Sequence, residues 1–253
     1  MKPRCAGQTF LSAGFRNFPV PCPATGQSPE PADRKVCPTA LLLLGLLLLL
    51  AAIVRCHAAE SNAPADLTSG WKPFPFMFEV QHPYDLKISD RYWFDPTNNT
   101  HHFWVNFTDK PHAPPPNRTT ARTEMRLQTY TNGEYMFDAD VNISPGTFAC
   151  IAQVFDAKHG PVRMIIAHPD GTVMLGHDLV KTNAIGHWWN LKMTNDTKTG
   201  GKIRIYADNV LIGTYDSRGP RDYYFKCGVY SRENSARSEA AFRNVRMWVK
   251  PNQ

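Results

Sequence analysis

The sequence predicts an all-β domain, a sandwich or barrel of short strands, and three observations carry that prediction. β-rich runs recur at close spacing between turn signals up to Val249, and no long amphipathic helix interrupts them. Apolar residues alternate in Ile203, Ile205 and Ala207, the pattern of a sheet with one buried face. The length involved, about 190 residues, suits a single domain, and no internal repeat, coiled coil or second domain is visible.

Residues 1–59 read as a leader, residues 60–67 as a flexible start, and residues 68–253 as the β domain. The leader holds an unbroken apolar run from Ala40 to Val54, preceded by Arg34 and Lys35 and followed by Cys56-His57-Ala58, a small-x-small pattern that signal peptidase could cut. The run is shorter than the roughly 20 residues a spanning helix needs. A cleaved signal peptide is therefore expected; an uncleaved anchor, the only membrane attachment foreseen, and an over-extended start are the alternatives. No Met lies between Met1 and Met77 to offer a later start. Either a signal or an anchor directs the domain into the secretory pathway, towards the cell wall or the vacuole.

Within the domain, strands are expected at Tyr92–Phe94, Phe103–Phe107 and Thr123–Thr129. The Pro-rich segment Pro111–Asn117 between the last two is an exposed loop, since consecutive prolines cannot join a central sheet. Tyr135–Val141, Phe148–Phe155, Val162–Ala167 and Thr172–Leu175 follow, the last pair joined through Pro169-Asp170-Gly171. His187–Met193, Lys202–Ala207 and Leu211–Tyr215 come next, with a turn at Asp208-Asn209. Tyr223–Tyr230 and Ala240–Val249 complete the set.

The net charge of +6 overstates the basicity of the domain. Lys2, Arg4, Arg16, Arg34, Lys35 and Arg55 against Glu30 and Asp33 place +4 in the leader, leaving +2 for the rest. No concentrated basic stripe is present there, so nucleic acid is not an expected partner. Five sequons, at Asn98, Asn106, Asn117, Asn142 and Asn195, suit a glycosylated luminal surface. Beyond the leader only Cys150 and Cys227 remain, an even pair suited to one disulfide in an oxidising compartment, with two buried free thiols as the alternative. No Ser nucleophile elbow, Walker loop or dinucleotide fingerprint is found. His101 and His102 point to opposite faces of one strand and His112 lies in the Pro-rich loop, so neither a metal nor another cofactor is expected.

Three of the expected strands place their polar residues on one side, because side chains alternate along a strand. Arg122, Glu124 and Arg126 share a face; so do Gln153 and Phe155, and Tyr224, Lys226, Gly228 and Tyr230. Side by side, these strands present guanidinium, amide, ammonium and phenol groups, a surface suited to a carboxylate-bearing sugar; a solvated charge ladder is the plainer alternative. β-Elimination on a uronate needs the carboxylate neutralised, a base for the C5 proton and an acid for the leaving oxygen. Arg supplies a planar fork for a carboxylate, Gln an amide donor, and a Tyr phenol proton transfer once positive charge lies near it. Gly228 is expected to leave room for a sugar ring. Cys150 lies three residues from Gln153 and Cys227 three from Tyr230, so alternation puts both thiols on the opposite, core side.

The segments Arg122-Thr123-Glu124-Met125-Arg126, Gln153-Val154-Phe155 and Tyr224-Phe225-Lys226-Cys227-Gly228-Val229-Tyr230, in this order, resemble the alginate-lyase-like superfamily of jelly-roll polysaccharide lyases. The stretch from Pro83 to Val249, including Asp109-Lys110-Pro111-His112 and the Asp208–Tyr215 hairpin, is most similar to the plant citrate-binding protein group within it. The resemblance implies a jelly-roll sandwich of two antiparallel sheets with a polar concave face. It implies that Arg122 and Gln153 neutralise a uronate carboxylate, that Tyr230 transfers protons, and that Glu124, Arg126, Tyr224 and Lys226 line the groove. The implied partner is an acidic polysaccharide or a small carboxylate such as citrate, met by a monomer. Two positions depart from the lyase pattern. Phe155 stands where the lyases carry His, and Ser231-Arg232 where they often carry Asn-Gln. Without that His, either Tyr230 serves as both base and acid in a syn-elimination, or the protein keeps recognition and has lost the chemistry.

Overall fold

The computed structural model describes residues 66–232 and 236–251. The leader, its apolar run and most of the expected flexible start lie outside the described residues. In chain order the strands are β1 (Lys72–Pro73), β2 (Phe78–Gln81), β3 (Tyr92–Asp95), β4 (Thr100–Asn106) and β5 (Arg122–Leu127). There follow β6 (Glu134–Ile143), β7 (Ala149–Asp156), β8 (Gly160–Ala167), β9 (Val173–Leu175) and β10 (Asp178–Lys181). The last five are β11 (Trp189–Asp196), β12 (Lys202–Ala207), β13 (Val210–Asp216), β14 (Tyr223–Ser231) and β15 (Arg237–Val249). A 3-10 turn at Ile88–Asp90 is the only helical element among the described residues.

Two antiparallel sheets face each other. One runs β10-β9-β8-β7-β14-β5-β2; the other runs β13-β12-β11-β6-β15-β4-β3, with β1 paired to β15. Inward residues of both meet in one core that includes Phe103, Met125, Phe137, Val154, Ile205, Phe225 and Phe242. The alternation read from Ile203, Ile205 and Ala207 is the core side of β12, all three being buried. The turn at Asp208-Asn209 takes positive φ at both residues (49° and 65°), the backbone a two-residue hairpin between right-twisted strands requires. Asp170 accepts from Thr172 N at 2.9 Å in the turn between β8 and β9, where Gly171 has φ 86°.

Every expected strand is present. Three short ones were not expected: β1, which contains Pro73; β2; and β10. β2 and β10 are edge strands, with Phe78 and Leu179 about half exposed, so they lack the apolar alternation that marks a buried strand.

The sequons divide by burial. Asn98 is exposed and Asn106, Asn117 and Asn142 are half-buried. Asn195 is fully buried; its Nδ2 donates to Tyr130 Oη at 3.1 Å and its Oδ1 accepts from Ser217 Oγ at 2.8 Å. The folded domain has no room for a glycan there, which corrects the expectation for Asn195.

Candidate functional site

The pairing register brings the predicted polar face together. Across β14 and β5, Tyr230 lies opposite Arg122, Gly228 opposite Glu124, and Lys226 opposite Arg126. Across β14 and β7, Lys226 lies opposite Gln153 and Tyr224 opposite Phe155. Directly paired residues share a face. Their other neighbours on those strands, Met125, Leu127, Val154, Phe225 and Val229, fill the core behind them. Arg122, Gln153, Tyr224, Lys226 and Tyr230 all line one cavity of about 400 Å³.

Glu124 organises this cavity from below. It is almost wholly buried, and Gln153 Nε2 donates to its Oε1 in a short hydrogen bond. Its Oε2 receives Lys226 Nζ at 3.3 Å and Arg122 Nη1 at 3.4 Å. Lys226 Nζ also donates to Gln81 Oε1 at 2.6 Å. Burial pulls the Lys226 ammonium below its ordinary pKa, and the Glu124 carboxylate opposes that shift. Arg122 lays its guanidinium 3.9 Å from the centre of the Tyr230 ring, while its Nε is buried without a hydrogen-bond partner. Phe155 stacks on Tyr224, centroids 4.9 Å apart and planes 15° from parallel, with Lys226 Nζ 5.0 Å from the Phe155 ring centre.

Three expectations change in detail. Glu124 was expected to line the groove; it holds Gln153, Lys226 and Arg122 from beneath it. Arg126 borders a neighbouring cavity of about 280 Å³ with Glu79 and Gln128, and its stack on Tyr224 at 4.3 Å stands between the two cavities. Gly228 is required by the sheet itself. It has φ 137°, and a Cβ there would meet Thr123 O and lie 2.7 Å from Glu124 Cα.

The cysteines form no disulfide: both are free and buried. Alternation fails because the register shifts on both sides of β7 between Cys150 and Ala152: β7 carries one extra residue against β8, and β14 carries one extra, between Cys227 and Tyr230, against β7. The shift turns Cys150 to the side of its partners Tyr230 and Ile166, whereas Cys227 stays in the core. The two thiols thus face opposite sides of one sheet. Burial raises both, and the Glu124 carboxylate adds to the shift at Cys150.

The structure adds residues that strand periodicity did not find. Gln81, from the unexpected β2, joins the cavity wall, as do Thr119 and Arg232. His112 joins it from the Pro-rich loop between β4 and β5, even though Pro114, Pro115 and Pro116 of that loop are exposed as expected. On the far wall, Phe155 is accompanied by Pro161 and Met164 of β8.

The model of the alginate lyase 2 family, described as alginate lyase, matches residues 77–248. The chain belongs to that family. The citrate-binding protein of Hevea brasiliensis is 27% identical over 199 residues, covering 75% of this chain and 82% of that protein. Among solved structures, the alginate lyase of Corynebacterium sp. superposes with a TM-score of 0.54 at 14% identity, covering 67% of this chain and 92% of that one. Alginate lyase AlgAT5 of polysaccharide lyase family 7 gives 0.53 at 16% identity, covering 67% and 93%. Family 7 alginate lyase A1-II′ in complex with a substrate gives 0.52 at 11% identity, covering 70% and 94%. These likenesses establish the jelly-roll architecture. One wall of the site is apolar: the aromatic ring of Phe155 lies flat on Tyr224 and beside the Lys226 ammonium, leaving β7 with no titratable group in the cavity.

Proposed function

We propose that the domain binds a uronate residue of an acidic polysaccharide on its concave sheet and cleaves the chain by β-elimination. The observation that carries this reading is the convergence of Arg122, Gln153, Lys226 and Tyr230 on one cavity. Arg122 and Gln153 receive the carboxylate: both line the cavity, and Gln153 is held in place by Glu124. A neutralised carboxylate acidifies the adjacent C5–H. Tyr230, lying against the Arg122 guanidinium, transfers the proton to the leaving oxygen. If only the strand residues take part, Tyr230 is also the base, and substrates with C5–H and leaving oxygen on the same side are favoured. The cavity is at the small end of the usual ligand-pocket range of roughly 300–1,000 Å³, which suits one or two sugar rings or a small carboxylate. Secretion to the cell wall or vacuole, through the leader, is part of the same proposal.

A second reading is favoured by Phe155 and by the Hevea relative, which is named for binding citrate. In that reading the same cations hold a carboxylate and no bond is broken. Incubating the domain with polymannuronate, polyguluronate and polyglucuronate, and following the ultraviolet absorbance of an unsaturated product, separates the two. The enzyme reading expects product from at least one polymer and a loss of about a hundredfold or more in Tyr230→Phe. Product formation unchanged in Tyr230→Phe would refute the role given to Tyr230. Heat of binding to citrate and oligouronides without product would favour the binder.

A further inference from the structure

Phe155 removes the imidazole from the β7 wall, yet the cavity does contain one. His112 reaches it from the loop between β4 and β5. The loop is anchored beside β2, where Tyr84 N donates to Pro111 O at 3.0 Å. The sheet order β8-β7-β14-β5-β2 then fixes the layout. Phe155, Pro161 and Met164 form one wall, Gln81 and His112 the facing wall, and Arg122, Tyr224, Lys226 and Tyr230 the floor. A sugar ring on that floor has His112 at one side.

His112 Nδ1 is buried with no hydrogen-bond partner. An unmet buried polar atom costs about 1–3 kcal/mol, so a histidine kept for packing alone would be expected to have that nitrogen satisfied. Burial, reinforced by Arg122 of β5 and Lys226 of β14, lowers the pKa of the imidazole; Glu124 of β5 and Glu79 of β2 oppose the shift more weakly. A neutral imidazole beside two cations is a proton acceptor at neutral pH.

We propose that His112 is a proton-transfer residue of this site, taking from the opposite wall the role that Phe155 vacated on β7. The inference rests on the uronate-cleaving reading. The C5 proton passes to Nε2 of His112, the ring nitrogen other than the buried Nδ1, and the C5–H electron pair becomes the C4–C5 double bond. The C4–O bond breaks with its pair on the glycosidic oxygen, which takes the Tyr230 proton. The His112 imidazolium loses its proton and the Tyr230 phenolate regains one through solvent. Nothing is oxidised or reduced. With two groups at separate places, elimination is no longer confined to the geometry Tyr230 could serve alone.

The test compares wild type with His112→Gln and His112→Asn on oligomannuronate, oligoguluronate and oligoglucuronate, by calorimetry and by product absorbance. Both variants are expected to bind within about threefold of wild type, while product formation falls by about a hundredfold or more. In wild type the rate should decline on acidification below the ordinary imidazole pKa of about 6.5, and that decline should vanish in the variants. Added imidazole should restore part of the rate to His112→Gly. Variants keeping the wild-type rate and pH profile would overturn the proposal, as would a wild type that binds an oligouronide and releases no unsaturated product. A wild type that binds none of the three overturns the uronate reading itself, and the role of His112 with it.

Discussion

Each sheet buries one carboxylate on its outward side, Glu124 on the concave sheet and Asp138 on the other, and their surroundings differ. Asp138 Oδ1 receives Asn190 Nδ2 at 3.0 Å and Lys192 Nζ at 3.4 Å; its Oδ2 receives Arg246 Nη2 at 2.9 Å and Trp248 Nε1 at 3.3 Å. Lys192 is completed by Asn209 Oδ1 at 2.7 Å. None of these five side chains holds a buried polar atom without a partner. Around Glu124 the Lys226 and Arg122 contacts are 3.3 and 3.4 Å, and two nitrogens of cavity-lining residues, Arg122 Nε and His112 Nδ1, have no partner. A cavity of about 400 Å³ opens next to them. Folding closes one network and leaves the other incomplete, with unmet polar groups on residues that line a cavity a ligand can fill. The same chemistry is thus structural on one sheet and receptive on the other.

The comparison is most exposed to failure at Asp138. Asp138→Ala strands Lys192 and Arg246, and loss of one partner of a buried ion pair typically costs about 3–5 kcal/mol. Urea unfolding should show that loss, while the folded fraction still binds an oligouronide as wild type does. Weakened binding there would break the division between the sheets. Arg122→Ala should behave in the opposite way. Under the proposed function its guanidinium is the cavity's chief carboxylate donor, so affinity for an oligouronide should fall about a hundredfold, near 2.7 kcal/mol at 1.36 kcal/mol per tenfold. Calorimetric titration measures it; affinity within threefold of wild type would remove Arg122 from the site.

Much of this was legible in the sequence, for a physical reason. A strand's side-chain period is two, so Arg122, Glu124, Arg126, Gln153, Tyr224, Lys226 and Tyr230 could be assigned to one face before any pairing was known. Alternation is blind to what interrupts it. The bulge at Cys150–Ala152 moved one thiol to the other face, and nothing in the local pattern announces it. β2 has no buried residue, so Gln81 and Glu79 gave no signal. His112 lies ten residues before Arg122 in a loop that prolines mark as exposed, and only tertiary contacts bring its ring to the cavity. The sequon at Asn195 specifies three residues and is silent about burial.

The smallest effect gives the sharpest comparison, because it removes one neutral side chain from each network. On the closed side, Asn190 donates from Nδ2 to Asp138, to Ala139 O at 3.3 Å and to Asp140 Oδ1 at 3.2 Å, and its Oδ1 accepts from Lys192. Asn190→Ala leaves Lys192 and Asp138 each short of a partner in a packed surround, at a cost of about 1–3 kcal/mol. On the open side, Gln81 accepts from Lys226 and otherwise makes an exposed contact, from Nε2 to Glu79 Oε1 at 3.4 Å. Gln81→Ala leaves a Lys226 ammonium that faces the cavity, where water can take the vacated position at little net loss. Its cost should therefore be below about 1 kcal/mol, with the change showing instead in affinity for a carboxylate. Paired urea titrations of the two variants decide the matter. Equal losses would mean that the cavity is as closed to solvent as the Asp138 network, and that unpaired polar groups there do not mark a ligand site.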